Sequence, residues 1–344
     1  MTSVKPMPEI GSEFWDVPVK SENNSIFQDG IQWYISGRSA LKAILNGMEN
    51  IKSVSMPSWC CDTMIRPFTD SGIKVDFYPV YFRDGLVQEI SFGSDALLVM
   101  DYFGYGSEAP DLSGYDGTVI RDVTHSIFTE DRRDADFYFG SLRKWCGVWT
   151  GGYAFKNDGT EFLRGDLDLK YYSELRRDAM EKKEQYINGV LTDGRSSGKE
   201  YLEIFGKAED YLETAGITQA SERDVLLAGK LDVEFIKERR RANAGILMDA
   251  AKDMLIFPEL RENDCPLFVP VLVPGGKRNE LRKYLIDHEI YCPVHWPVSG
   301  LHRLGDRERK IYDSELSLIC DQRYTEEDME RIAETIKQFW REKL

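Results

Sequence analysis

Metal-binding patterns are scarce in this chain. It has four histidines, none in an HExxH arrangement, and six cysteines (Cys60, Cys61, Cys146, Cys265, Cys292, Cys320) without a CxxC spacing. No metal site is therefore expected. No apolar run approaches the roughly 18 residues that a membrane helix needs. Positive charge is in deficit, with 44 Lys and Arg against 59 Asp and Glu, a net charge of −15. Such a chain repels the phosphates of nucleic acid and of anionic membranes, so neither is an expected partner. The opening MTSVKPMPEIGSEF lacks the basic start and apolar stretch of a secretory signal, which favours free thiols and a cytoplasmic location. There is no internal repeat and no low-complexity tract. What remains is 344 residues, 42 % hydrophobic and 12 % aromatic, enough for a sizeable core in one large domain or two smaller ones.

Residues 31–160 alternate short apolar runs with helical patterns. SALKAILNGM (39–48) has helical spacing, and VSMPSW (54–59) is followed by the helix-like CDTMIRPFTDSG. KVDFYPV, DALLVMDYF and TVIRDV then read as strands, with ALLVM and TVI apolar enough to be buried on both faces. Repeated strand–helix–strand units predict an α/β fold, a mostly parallel sheet covered by helices. Residues 161–253 are rich in charge with regular apolar spacing and predict long helices with a solvated charged face. From Pro266 the pattern becomes a smaller α+β unit: the strand LFVPVLV, the helix KRNELRKYLIDHEI, the extended YCPVHWPV, and a last helix from Thr325 with acidic residues in its first turn. The expected organisation is an N-terminal arm at 1–30, a large domain at 31–240 and a small C-terminal domain at 241–344.

The chemistry concentrates in two stretches. RDVTHSIF places Asp122 directly after an apolar strand, at the carboxyl end where open parallel sheets bind ligands. A carboxylate there can take a proton from a ring nitrogen, and His125 follows three residues on. Alone, Asp122 is as readily a turn or capping residue. About twenty residues later, DFYFGSLRKWCGVWTGG sets Lys144 among Phe137, Phe139, Trp145 and Trp149. Pyridoxal phosphate (PLP) requires three things of a protein: a lysine for its aldehyde, a carboxylate for its pyridine nitrogen, and a cradle for its phosphate. Lys144 and Asp122 match the first two in type and order. An apolar pocket favours the neutral amine that a nucleophile and base must be.

Ser141 is a candidate phosphate donor, and upstream SGRSAL offers the cradle. Gly37 allows close backbone approach, Ser39 opens a helix whose free amides attract anions, and Arg38 adds charge. In PSWCCDT, Trp59 and Cys61 are the candidates to lie against a flat ring, although both are equally well explained as packing residues.

This order of motifs resembles the DegT/DnrJ/StrS family of PLP-dependent aminotransferases, of the aspartate-aminotransferase-like fold (fold type I). SGRSAL is similar to the family's G-T-x-A-L segment, and PSWCCDT stands in the slot of its P-x-Y-T segment. Asp122 and His125 match its D-x-x-[HQ]. Lys144, Gly151, Gly152 and Asn157-Asp158 keep the spacing of its lysine, Gly-Gly and N-D. His295-Trp296-Pro297 corresponds to its H-Y-P segment, and Ser317-Leu318 with Thr325 to Arg331 to its last strand and helix. The likeness spans about residues 30–344.

Three positions depart from it. Trp145 follows the lysine where the family has Asn. Phe139 stands where its serine generally lies. GITQASERDVLLAG replaces the G-x-N-Y-R-M segment whose asparagine reaches a partner's phosphate, leaving Thr218, Gln219 or Ser221 as substitutes.

The resemblance implies an aminotransferase that moves an amino group from an amino acid, glutamate, to a keto sugar on a nucleotide. It implies Lys144, Asp122 and His125 as catalytic residues, His295 or Arg143 as substrate contacts, and a homodimer with sites at the subunit interface. Two other readings are a PLP-dependent dehydration or elimination on a sugar, which in the family goes with histidine in place of the lysine, and a non-catalytic interaction module.

Overall fold

The structure is a computed structural model that describes residues 8–22, 26–27, 30–106, 110–129, 134–156, 158–193 and 198–343. In chain order, β1 (Ile10–Gly11) and β2 (Gln32–Tyr34) lead into α1 (Gly37–Asn46), β3 (Ser53–Pro57), α2 (Asp62–Asp70) and β4 (Lys74–Tyr78). A small hairpin, β5 (Val80–Phe82) and β6 (Leu86–Gln88), precedes β7 (Ala96–Met100), β8 (Thr118–Asp122), β9 (Phe137–Ser141) and β10 (Gly152–Lys156). Four helices follow: α3 (Lys170–Asp193), α4 (Tyr201–Thr214), α5 (Glu222–Ala228) and α6 (Val233–Ala250). The last part holds β11 (Val269–Leu272), α7 (Arg278–Asp287), β12 (Ile290–Tyr291), α8 (Asp306–Ser314), β13 (Glu315–Leu318) and α9 (Glu326–Lys343).

The central sheet has seven strands in the order β2-β10-β9-β8-β7-β3-β4. β3, β4, β7, β8 and β9 pair in parallel, and β10 runs against both β9 and β2. All five residues of β7, ALLVM, are buried, as its unbroken apolar run predicts for a strand covered on both faces. The chain steps from β3 outward to β4 and then back across to β7 on the other side. This reversal opens a crevice at the carboxyl ends of the strands, the place where sheets of this kind bind ligands. β11 and β13 form a separate antiparallel pair against α6–α9, while β1 adds to β12.

The long charged helices differ from the expected pattern. Arg176 and Lys183, two turns apart on α3, and Arg240 on α6 are fully buried, so part of the charge faces inward. Periodicity cannot reveal this, because it treats every charge as solvated. Lys183 reaches Glu9 at 3.2 Å, while Lys199 approaches the same carboxyl at 2.7 Å and Tyr201 donates to it at 2.9 Å. Burial pulls the Lys183 amine down to about 8, against the pull of Glu9. These contacts hold residues 9–16 against α3, and a pairing that is broken on one side leaves a buried charge.

One glycine governs how close β10 comes to the start of α1. A Cβ on Gly152 would lie 2.0 Å from the carbonyl carbon of Ser36. Gly152→Ala is expected to destabilise the protein by more than about 3 kcal/mol, since rigid backbone cannot move aside as a side chain can. Gly245→Ala, inside α6 where an added Cβ meets nothing within 4 Å, is expected to stabilise by up to about 1 kcal/mol. Thermal unfolding of both variants checks the contrast.

Candidate active site

A cavity of about 200 Å³ opens at the carboxyl ends of the strands. Its walls carry Ser36, Gly37 and Arg38 from the start of α1, Cys61 and Thr63 around the start of α2, Met100 from β7 and Asp122 from β8. Thr124, His125, Phe139, Ser141, Arg143, Lys144, Glu209, Leu212 and Trp296 also line it, with Leu41 and Met64. Lys144 also lines a second cavity of about 480 Å³, together with Glu209. The amine therefore stands where the two spaces meet.

Lys144 reaches this place because β9 ends at Ser141 and a single 3-10 turn, Leu142–Lys144, follows. Trp145 fixes that turn. Its indole Nε1 donates to Thr124 O at 2.7 Å, which ties the lysine segment to the segment leaving β8. Asp122 is the last residue of β8, and its carboxyl is buried, with the Thr124 N–H donating to Oδ1 at 2.8 Å. Burial raises its pKa to about 6, against the lowering effect of Thr124 and Lys144. A buried carboxylate held that high is one short of positive partners, and a protonated ring nitrogen would supply one. His125 Nδ1 faces the Phe103 N–H at 3.4 Å, which leaves the ring proton on Nε2, 3.3 Å from Lys144 Nζ. Burial first, then the charges of Lys144 and His295, lower the His125 pKa well below its ordinary value, so the ring is neutral. Trp296 stacks on it at 5.7 Å between centroids.

At the other wall, α1 begins one turn earlier than the sequence suggests. Ser36, not Ser39, is the N-cap, and its hydroxyl accepts from Ser39 N. The amides of Gly37 and Arg38 at the first turn have no partner among the described residues, and a helix start with free amides is an anion site. The Ser141 Cβ lies 3.4 Å from where a Cβ on Gly37 would be, so the Ser141 hydroxyl borders the same spot. Arg38 donates to Leu212 O, and Arg143 pairs with Glu209. The Nε atoms of both arginines are buried and unpartnered. Free amides, a hydroxyl and two guanidiniums at one wall, with an unpaired buried carboxyl and an amine at another, fit PLP.

Several expected contacts sit elsewhere. Ser39 does not line the cavity; its hydroxyl donates to Gly216 O and Thr218 O and accepts from Thr218 N, binding α1 to the 216–218 segment. Trp59 is also behind the wall. It is fully buried, stacked on Tyr102 at 4.9 Å, with Nε1 donating to His295 O at 2.6 Å. A large apolar ring with a satisfied N–H is held more strongly by the core than by a cavity edge. Cys61 is the member of that pair on the wall. His295 lies behind His125, its Nδ1 at 2.8 Å from Ser317 Oγ and its ring 5.8 Å from that of His125, so it does not face either cavity. Arg143 borders the smaller cavity only.

The substitutes proposed for a partner-reaching asparagine are also engaged. The Thr218 backbone is held by Ser39 and its side chain is buried, Gln219 donates to Gly165 O, and Ser221 caps α5. Asn157 lies outside the described residues. Glu209 and Trp296 enter from 65 and 152 positions after Lys144 without a local signature. Ser36 could have been found, since serine is a preferred N-cap residue and it directly precedes the Gly37–Arg38 start of the helical run.

No protein-family model matches the chain, and no curated protein matches it. Solved structures do. Helicobacter pylori PseC, an aminotransferase involved in the biosynthesis of pseudoaminic acid, is 13 % identical with a TM-score of 0.64, over 95 % of this chain and 99 % of that one. The PLP form of Spr1654 from Streptococcus pneumoniae, a sugar aminotransferase by its description, is 12 % identical with a TM-score of 0.62, over 97 % and 100 %. DesV from S. venezuelae, solved with a ketimine intermediate, is 16 % identical with a TM-score of 0.59, over 90 % and 84 %. At these identities the likeness establishes the fold. The chain has the α/β fold type I architecture of PLP-dependent transferases.

The raised pKa of Asp122 carries a stability consequence. Its value in the folded state, about 6, exceeds the ordinary 3.8, so the folded state binds more protons between these values and stability falls as pH rises through them. Asp122→Asn is expected to unfold at a higher temperature than the parent at pH 7 without PLP, by up to about 3 kcal/mol, with the gain vanishing near pH 4. Thermal unfolding against pH checks it; an unchanged or lower stability at pH 7 contradicts the assignment.

Proposed function

We propose that the chain is a PLP-dependent aminotransferase that passes an amino group from an amino acid, glutamate, to the keto group of a nucleotide-linked sugar. The observation that carries this reading is the amine of Lys144 bordering one cavity with the buried, under-compensated carboxyl of Asp122. The fold shared with sugar aminotransferases supports it.

Bound PLP supplies an aldehyde that joins amines and a ring that takes up electrons. Lys144 Nζ is the amine that holds it, and is placed to accept and return a proton where the two cavities meet. Asp122 keeps a proton at the ring nitrogen. Neutral His125 presents its Nε2 proton beside Lys144 and orients the ring, with Cys61 and Trp296 on the walls. Gly37, Arg38, Ser141 and Arg143 take the phosphate. The larger cavity, which Lys144 also lines, receives the donor and the sugar in turn, in a ping-pong cycle.

We place the cofactor mainly on residues 31–240 and assign 241–344 to a smaller domain that contributes Trp296; α6 runs continuously through residue 240. We further propose a cytoplasmic homodimer. Six free cysteines suit a reducing compartment. Leu163, Leu167, Tyr171 and Leu226 are exposed apolar residues near the 218–221 segment, which suits a subunit contact.

Reduction of the PLP-loaded protein with borohydride and peptide mapping tests the reading. The label is expected on Lys144, with Lys144→Ala losing transamination by at least about a thousandfold. A wild-type protein that takes up no PLP, or a label on another lysine, overturns it. Release of ammonia without an amino acceptor would instead indicate elimination.

A further inference from the structure

Two arginines line the smaller cavity, and one helix holds both. Arg38 Nη1 donates to Leu212 O at 2.9 Å, and Arg143 Nη2 donates to Glu209 Oε1. Glu209 and Leu212 lie three residues apart on one face of α4. At the end of that helix, Lys42 Nζ from α1 reaches Ala215 O at 2.9 Å, so cations of α1 meet the last carbonyls of α4. The buried side chains of Phe205, Ala208 and Leu212 seat α4 in the core.

Glu209 does not depend on Arg143 for its place. Its Oε1 also lies 3.7 Å from Nη1 of Arg176, and the same Nη1 lies 3.4 Å from Glu13 Oε2. Arg176 is fully buried, donates from Nη2 to Val148 O at 3.3 Å, and sits 4.9 Å over the ring of Phe205. The result is an alternating row, Arg143, Glu209, Arg176 and Glu13, that runs from the smaller cavity to the larger one. Arg176 is its fixed member, because a buried guanidinium that lost its carboxylates would be left uncompensated.

Arg143 is the member with room for a further anion. Its side chain keeps 12 % of its surface exposed, and Glu209 is the only hydrogen-bond partner of its guanidinium among the described residues. Burial works against its charge, and Glu209, ahead of Tyr172 and Glu13, more than offsets that and raises its pKa. A long side chain held at one nitrogen has less freedom to lose when a second anion binds.

We infer that Glu209 is a positioning residue: it holds the Arg143 guanidinium at the smaller cavity for the phosphate ester of the cofactor. Arg176 keeps the Glu209 carboxylate from turning into that cavity, where it would repel the phosphate. This rests on the PLP reading and on the assignment of Arg143 to the phosphate.

Absorbance titration of the PLP-free protein with PLP and with pyridoxal, which lacks only the phosphate, tests it. Both aldehydes join the Lys144 amine, so the ratio of their dissociation constants isolates the phosphate contact. The wild type is expected to prefer PLP. Glu209→Ala is expected to cut that preference by roughly 10-fold and to leave pyridoxal binding unchanged. Glu209→Gln, which keeps an oxygen for Nη2, is expected to restore most of it. Arg143→Ala is expected to lose at least as much as Glu209→Ala, and combining the two to cost nothing further. Circular dichroism establishes folding; if Glu209→Ala does not fold, Glu209→Met, similar in length, takes its place. Equal weakening of PLP and pyridoxal, tighter PLP binding in Glu209→Ala, no recovery in Glu209→Gln, or additive losses in the double variant would overturn the proposal. An unchanged preference in Arg143→Ala would overturn the assignment of Arg143 to the phosphate, and the proposal with it. A wild type that takes up neither aldehyde would sink the PLP reading itself.

Discussion

The geometry of the site depends on one buried indole. Trp145 is fully enclosed, donates to Thr124 O through Nε1, accepts from Gln322 through its carbonyl, and has the Arg240 guanidinium over its ring. These contacts come from three distant parts of the chain: the loop after β8, α6, and the segment after β13. Each costs little in conformational freedom once the others are made, because the side chain is already immobile. The residue that precedes it is Lys144. Its amine is therefore placed relative to Asp122 by a rigid frame and not by the flexible lysine stem alone.

The sheet supplies the rest of the placement. Asp122, Ser141 and Met100 end adjacent parallel strands, so their side chains and the loops after them converge without any special pairing. Gly152 then lets β10 run against Ser36, and this brings the first turn of α1 beside Ser141. The acidic surface and the local cationic walls are compatible for the same reason. The chain as a whole repels polyanions, whereas Arg38, Arg143 and Lys144 gather at one cavity inside it, where charge acts at short range.

Much of the sheet was legible in the sequence: ALLVM is buried throughout as its apolar run predicts, whereas TVI forms a strand whose Thr118 and Val119 are only half-buried. Asp122, His125 and Lys144 were legible for a related reason: each follows such a strand closely. Long-range partners were not. Glu209 meets Arg143 across 66 positions, and Trp296 reaches His125 from the far side of the chain. Buried charge was also invisible, since Arg240, Arg176 and Lys183 occupy helical stretches that read as solvated. The choice between Trp59 and Cys61 turned on which side chain the core could hold. The Trp59 N–H finds His295 O inside, and the smaller thiol is left on the wall. Helix α1 was displaced by one turn because Ser39 resembled a cap while its hydroxyl was committed to Thr218 and Gly216.

The central claim is that one amine and one carboxyl of this chain face the same bound cofactor. A crystal structure of the protein grown with PLP tests it most directly. The account predicts continuous density from Lys144 Nζ to the cofactor, with an Asp122 carboxyl oxygen at hydrogen-bonding distance from the ring nitrogen. Cofactor bound elsewhere, or bound here with Asp122 turned away from the ring, would contradict it.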